Sequence, residues 1–86
     1  MSLLLYTTKS CYPCDRAKKT LINSKLAFKI TSAGATEDIL YYPTLCLLDE
    51  SGNEVARLVG PNFISLDNIV NLADKHNIVL DRKANY

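Results

Sequence analysis

The feature that most narrows the fold is a pair of cysteines, Cys11 and Cys14, set between a short apolar run and an amphipathic stretch. Leu3-Leu4-Leu5-Tyr6-Thr7 is apolar almost throughout and ends in polar residues, as a strand buried on both faces does. After the loop Thr8-Lys9-Ser10, apolar or small residues recur at Cys14, Ala17, Leu21 and Ile22, which predicts a helix from about Cys11 to Ser24. Pro13 is compatible with that helix because it lies in the first turn, where its missing N–H has no intrahelical acceptor to lose. Leu26, Phe28 and Ile30 then alternate with Ala27, Lys29 and Thr31, the period of a second strand. Strand, helix and strand in about thirty residues make a βαβ unit, so the two strands are expected to be parallel with a right-handed crossover.

Beyond it, Ser32-Ala33-Gly34 reads as a turn, and Ala35 to Tyr41 as at most about two helical turns, with Thr36 as N-cap and Glu37 and Asp38 near the positive helix end. Thr44-Leu45-Cys46-Leu47-Leu48 is a buried strand, Asp49 to Asn53 a turn with Gly52 available for positive φ, and Glu54 to Val59 an antiparallel return. Gly60-Pro61 breaks the chain. Ser65 then caps a last helix with the apolar stripe Leu66, Ile69, Val70 and Ala73, ending near Lys75 and His76, where the helix C-terminus favours positive charge. Ile78-Val79-Leu80 fits either a helix extension or an edge segment, and Asp81 to Tyr86 reads as a frayed tail. The fold class is α/β: a four-stranded mixed sheet with flanking helices, in the order β-α-β-(short α)-β-β-α.

Eighty-six residues suffice for one core, so residues 1–86 are expected to form a single domain. The start of the chain lacks the positive region, long apolar run and small-residue cleavage site of a signal peptide, and no stretch approaches the ~18 apolar residues of a membrane span. A cytoplasmic address without membrane association is the expectation. Three cysteines do not make the disulfide framework of a small secreted domain, so a close pair points to catalysis or metal binding. A net charge of +1 argues against nucleic acid as a partner. The charge is nonetheless uneven. From Lys9 to Lys29 there are six basic residues against Asp15 alone, whereas from Ile30 to Asp81 eight acids face only Arg57 and Lys75, so the first cysteines should lie at a positive end.

Two thiols separated by two residues at a helix start can close a disulfide across a tight turn, the first facing outward and the second inward. The helix N-terminus offers unpaired N–H groups and partial positive charge, which stabilise a thiolate at Cys11 and lower its pKa below the free value of about 8.5. Lys9 and Arg16 are the nearest formal charges that add to this. The thiolate can attack a substrate disulfide, and Cys14 can resolve the mixed disulfide. Zinc needs four ligands, and beyond the pair only Cys46, within an apolar strand, and His76, at a helix end, are candidates, so no metal site is expected. Cys46 reads as a small core residue and His76 as an exposed cation.

The segment Leu5-Tyr6-Thr7-Thr8-Lys9-Ser10-Cys11-Tyr12-Pro13-Cys14-Asp15-Arg16-Ala17-Lys18 resembles the active-site segment of glutaredoxins, in which a tyrosine precedes the first cysteine by five residues and Ala-Lys follows the second. Tyr42-Pro43-Thr44-Leu45, the Gly52 hairpin and Val59-Gly60 look more like thioredoxin. Together these resemblances cover most of the chain and imply a thioredoxin-like fold. They make Cys11 the nucleophile, Cys14 the resolving thiol, and Pro43 a cis-proline facing the cysteines from the loop before the third strand. Tyr12, Pro13, Tyr42 and Gly60 join Pro43 as the implied substrate-binding residues. The order Tyr12-Pro13 puts proline where thioredoxins place it. The lysine that glutaredoxins use for glutathione falls one position late, at Lys9, and their Gly-Gly and Asp turn is reduced to Gly60-Pro61. Thioredoxin's tryptophan before the first cysteine is Ser10 here, and its buried first-strand aspartate is Leu5.

The expected function is thiol–disulfide oxidoreductase: a monomeric electron donor to protein disulfides, resembling the small redoxins that serve ribonucleotide reductase. It would be reduced by a thioredoxin reductase or by glutathione and need no cofactor beyond the Cys11–Cys14 pair. A glutathione-dependent glutaredoxin and a non-catalytic thioredoxin-like binding module are the alternatives.

Overall fold

The computed structural model describes residues 2–32, 39 and 41–83. Six elements follow one another: β1 (Leu3–Thr7), α1 (Tyr12–Asn23), β2 (Lys29–Ser32), β3 (Thr44–Leu48), β4 (Glu54–Val59) and α2 (Leu66–His76). The strands form one mixed sheet in the order β2-β1-β3-β4. β1 runs parallel to β2, as the βαβ reading requires, and antiparallel to β3, which pairs antiparallel with β4. The expected turn at 32–34 and short helix over 35–41 fall largely on residues 33–38 and 40, outside the described residues.

Register explains the core. Leu3 pairs with Leu47 and Leu5 with Leu45, so these four leucines share one face, and all are fully buried. Ala17 and Leu21 of α1 and Ile69 and Ala73 of α2 join the same cluster, which places both helices over that face. A leucine buried here removes enough apolar surface from water to contribute about 1.5–3 kcal/mol. Cys46 alternates with Leu45 and Leu47, pairs with Leu4 and Arg57, and is buried.

Four expectations need correction. β2 begins at Lys29 rather than Leu26, because Leu26 drops into the core and makes an isolated antiparallel bridge to Arg82. The same bridge means that Asp81–Lys83 is not frayed: the Ala27 N–H donates to the Asp81 carbonyl at 3.0 Å and the Lys83 N–H to the Lys25 carbonyl at 2.9 Å. The inward stripe of α2 is Ile69 and Ala73, both buried, with the half-buried Leu72 packed against the core, whereas Leu66 is exposed. Two stripes at helical spacing overlap in this segment, and packing on the sheet selects between them. Finally, His76 is half-buried rather than exposed.

The segment 78–80 is neither helix nor strand. Asn77, at φ 57°, terminates α2 in the left-handed region; Ile78 and Leu80 then pack on the core while Val79 points outward, 82% exposed. Gly52 turns the β3–β4 hairpin at φ 84°, and the Asp49 carboxylate accepts the N–H groups of Ser51 and Asn53, each at 2.9 Å. No helix among the described residues is long and apolar enough to cross a membrane.

Candidate active site

β1 stops at Thr7, and the turn through Lys9 and Ser10, with Ser10 at φ 53°, delivers Cys11 to the start of α1. Cys11 is the N-cap: its backbone is extended (φ −108°, ψ 101°) and its Sγ accepts the Cys14 N–H at 3.1 Å. Pro13 sits in the first turn, as its chemistry allows. Cys11 and Cys14 form a disulfide with Cα atoms 5.2 Å apart. The pair is asymmetric, since Cys14 is 1% exposed and Cys11 only half-buried, so an incoming group meets Cys11 before Cys14.

Pairing brings two distant segments to the same end of the sheet. Tyr6 lies opposite Thr44, and Thr44 opposite Val59, so Pro43 and Gly60 lie just beyond the row where β1 hands over to the Cys11 turn. The Gly60 N–H donates to the Pro43 carbonyl at 2.8 Å, and Gly60 adopts φ 92°, a region that a side chain would strain. Pro43 is fully buried and the Tyr42–Pro43 bond is cis. The Thr44 hydroxyl donates to the Tyr41 carbonyl at 2.7 Å and ties down the approach to β3. Cys11, Cys14, Tyr12, Pro13, Tyr42, Pro43 and Gly60 thus all belong to this end.

Tyr12 is 74% exposed. Two further aromatic side chains escaped the sequence reading, Tyr41 at 68% and Phe63 at 62% exposure. Phe63 is held in the turn after β4 by its N–H donating to the Gly60 carbonyl at 3.2 Å. A signal existed in both cases: each aromatic stands two or three residues from the Pro43 or Gly60-Pro61 chain break. Asp15 lies 3.7 Å from the Lys18 ammonium, while Lys9, Arg16 and Lys19 are exposed. Among the described residues no three His, Cys, Asp or Glu side chains converge as metal ligands would.

A mixed sheet in the order β2-β1-β3-β4, with two helices on it and a Cys-x-x-Cys pair opening the first, is a thioredoxin-like fold. A solved structure similar to it is thioredoxin f2 from Chlamydomonas reinhardtii, with a TM-score of 0.64 over 90% of this chain and 79% of that one, at 18% sequence identity. No family model matches the sequence, and no curated protein matches it. The likeness therefore lies in the backbone path.

Proposed function

We propose that this protein is a dithiol–disulfide oxidoreductase that reduces disulfides in other proteins. One observation carries the reading: a half-buried cysteine at a helix N-cap, its sulfur already accepting a backbone N–H, beside a fully buried second cysteine. In the reduced protein, the Cys11 thiolate attacks one sulfur of a substrate disulfide. A Cys11–substrate disulfide forms and the other substrate sulfur leaves as a thiolate. The Cys14 thiol, losing its proton, then attacks the Cys11 Sγ. This closes the Cys11–Cys14 disulfide and releases the second substrate thiolate, so two electrons pass to the substrate. The N-cap N–H and the helix dipole favour the ionised form of Cys11 at the outset and as leaving group.

Tyr12, Pro13, Tyr42, Pro43 and Gly60 are the proposed substrate contacts. Among the described residues no backbone hydrogen bond engages Tyr42, so its peptide groups can pair with an extended substrate segment as an added strand would. A disulfide enzyme such as ribonucleotide reductase is the proposed class of acceptor, and a reducing compartment such as the cytoplasm the proposed setting. With Pro13 in the thioredoxin place and glutaredoxin-like flanks, the reduction potential should lie between about −270 mV and about −200 mV.

Insulin reduction, driven separately by NADPH with thioredoxin reductase and by NADPH with glutathione and glutathione reductase, tests the reading. Turnover with the first system supports the protein-disulfide donor. Turnover with the second alone favours the glutathione-dependent alternative. Absence of turnover in both leaves the thioredoxin-like surface as a binding module and overturns the proposal.

A further inference from the structure

The outward face of α1 carries a pattern that the redox chemistry does not use. Four residues advance a helix by about 400° and seven by about 700°, so Arg16 and Lys19 fall within about 40° of Tyr12. Tyr12, Arg16 and Lys19 are all exposed, on the side of α1 away from its buried residues Cys14, Ala17 and Leu21. Lys9, exposed in the turn before Cys11, adds a third cation at the same end of the helix. The one acid of α1, Asp15, pairs with Lys18 at 3.7 Å. Among the described residues no carboxylate pairs with Lys9, Arg16 or Lys19. The stripe thus begins at Tyr12, the first of the two residues between the cysteines, and continues as positive charge that the described protein leaves unneutralised.

We propose that this stripe is a docking strip for an acidic polypeptide segment flanking the disulfide to be reduced, so that charge selects among protein substrates. The inference rests on the redox reading above and deepens it. Charge complementarity identifies the occupant: a surface of like sign would be repelled, and a neutral one would gain nothing from three unpaired cations. Geometry sets the reach. Lys19 lies about 10 Å along the helix from Tyr12, a distance that an extended chain covers in about three residues. Acidic residues about three positions from the substrate cysteine should therefore matter most.

The test uses the pre-reduced full-length protein, mixed with disulfide-linked peptides whose flanks three residues from the cysteine are acidic, neutral or basic. Oxidation of the protein is followed by acid quenching and thiol alkylation. At low ionic strength the acidic peptide should react about tenfold faster than the basic one, the lower end of the range for electrostatic steering. That advantage should shrink as salt rises from about 0.01 to 0.15 M and the Debye length falls from about 30 to 8 Å. The R16E/K19E variant should invert the ranking, and Arg16→Lys should keep it. If the charge-reversed variant does not fold, the salt dependence of the unaltered protein still decides. Equal rates for the three peptides, or a ranking indifferent to salt, would overturn the docking strip while leaving the oxidoreductase intact. No oxidation by any peptide, nor by the small neutral disulfide of 2-mercaptoethanol, would bring down both readings together.

Discussion

At the start of α1 the Sγ of Cys11 accepts the N–H of Cys14 at 3.1 Å, and at the start of α2 the Oγ of Ser65 accepts the N–H of Asn68 at 3.2 Å. Both capping residues have extended backbones, followed three positions on by the donor they satisfy. The two helices also end alike. Lys25 at φ 58° and Asn77 at φ 57° take the left-handed conformation, and the residue after each donates back into the last turn, Leu26 to the Leu21 carbonyl at 3.2 Å and Ile78 to the Ala73 carbonyl at 2.8 Å. These are the bonds of a Schellman end. The difference lies in one atom. A serine hydroxyl stays neutral and satisfies one orphan donor, whereas a sulfur in the same place can ionise, and then both the N–H and the helix dipole act on a full charge. The proposed thiolate therefore needs no special architecture here; its sulfur occupies a capping position that any helix offers.

Replacing the sulfur breaks the comparison most sharply. Cys11→Ser restores at α1 the cap that α2 has, so the reduced protein should keep its far-ultraviolet circular dichroism while disulfide turnover falls to background. Cys14→Ser should instead trap a mixed disulfide. Its remaining Cys11 should be alkylated by iodoacetamide at pH 6 well above the rate of an unactivated thiol, and parity with such a thiol would show that the cap does not activate sulfur.

Next in size are the anchors beneath the two helices. Leu21 and Ile69 are both fully buried, so Leu21→Ala and Ile69→Ala should each cost about 2–5 kcal/mol in urea unfolding. A cost confined to one of them would mean that the helices are not held by a common core.

The α2 cap is worth less. Ser65→Ala should lower stability by about 1 kcal/mol, with Cys11 alkylation unchanged. Ser65→Cys in a background lacking Cys11 and Cys14 should place a moderately activated thiol at the second helix, measurable as alkylation faster than an unactivated thiol at pH 6. No acceleration would mean that any reactivity measured at α1 comes from something other than the cap. The smallest effect is at the left-handed ends. Lys25→Gly should raise stability by about 0.4–1 kcal/mol, and Asn77→Gly by less, since asparagine tolerates this conformation better than lysine does. Equal gains in thermal unfolding would erase that distinction.

Much of this was legible because the signals are local. The Cys11–Cys14 spacing, Pro13 in the first turn, Gly52 in the hairpin and Ser65 ahead of α2 each act through backbone preferences spanning a few residues. The misreadings share the opposite property. Leu26, Phe28 and Ile30 alternate like a strand, yet Leu26 belongs to the Schellman end of α1 and its ladder partner is Arg82, far along the chain. In α2, Ile69 and Ala73 serve two candidate stripes at once, and only the sheet beneath shows that Leu72 rather than Leu66 packs against the core beside them. Tyr41 and Phe63 are ordinary turn neighbours until the sheet brings their segments beside the cysteines.

The sequence by itself determined where the two sulfurs of the proposed reaction sit, one at a helix N-cap and one facing inward, because capping and helical periodicity are properties of a single turn. Tertiary structure alone decided the strand order β2-β1-β3-β4, the hydrogen bond that sets Gly60 against Pro43, and the return of Asp81–Lys83 alongside Lys25–Ala27 after α1. Those outcomes depend on which apolar faces compete for one core and in which register strands pair, and residues adjacent in the chain carry no record of either.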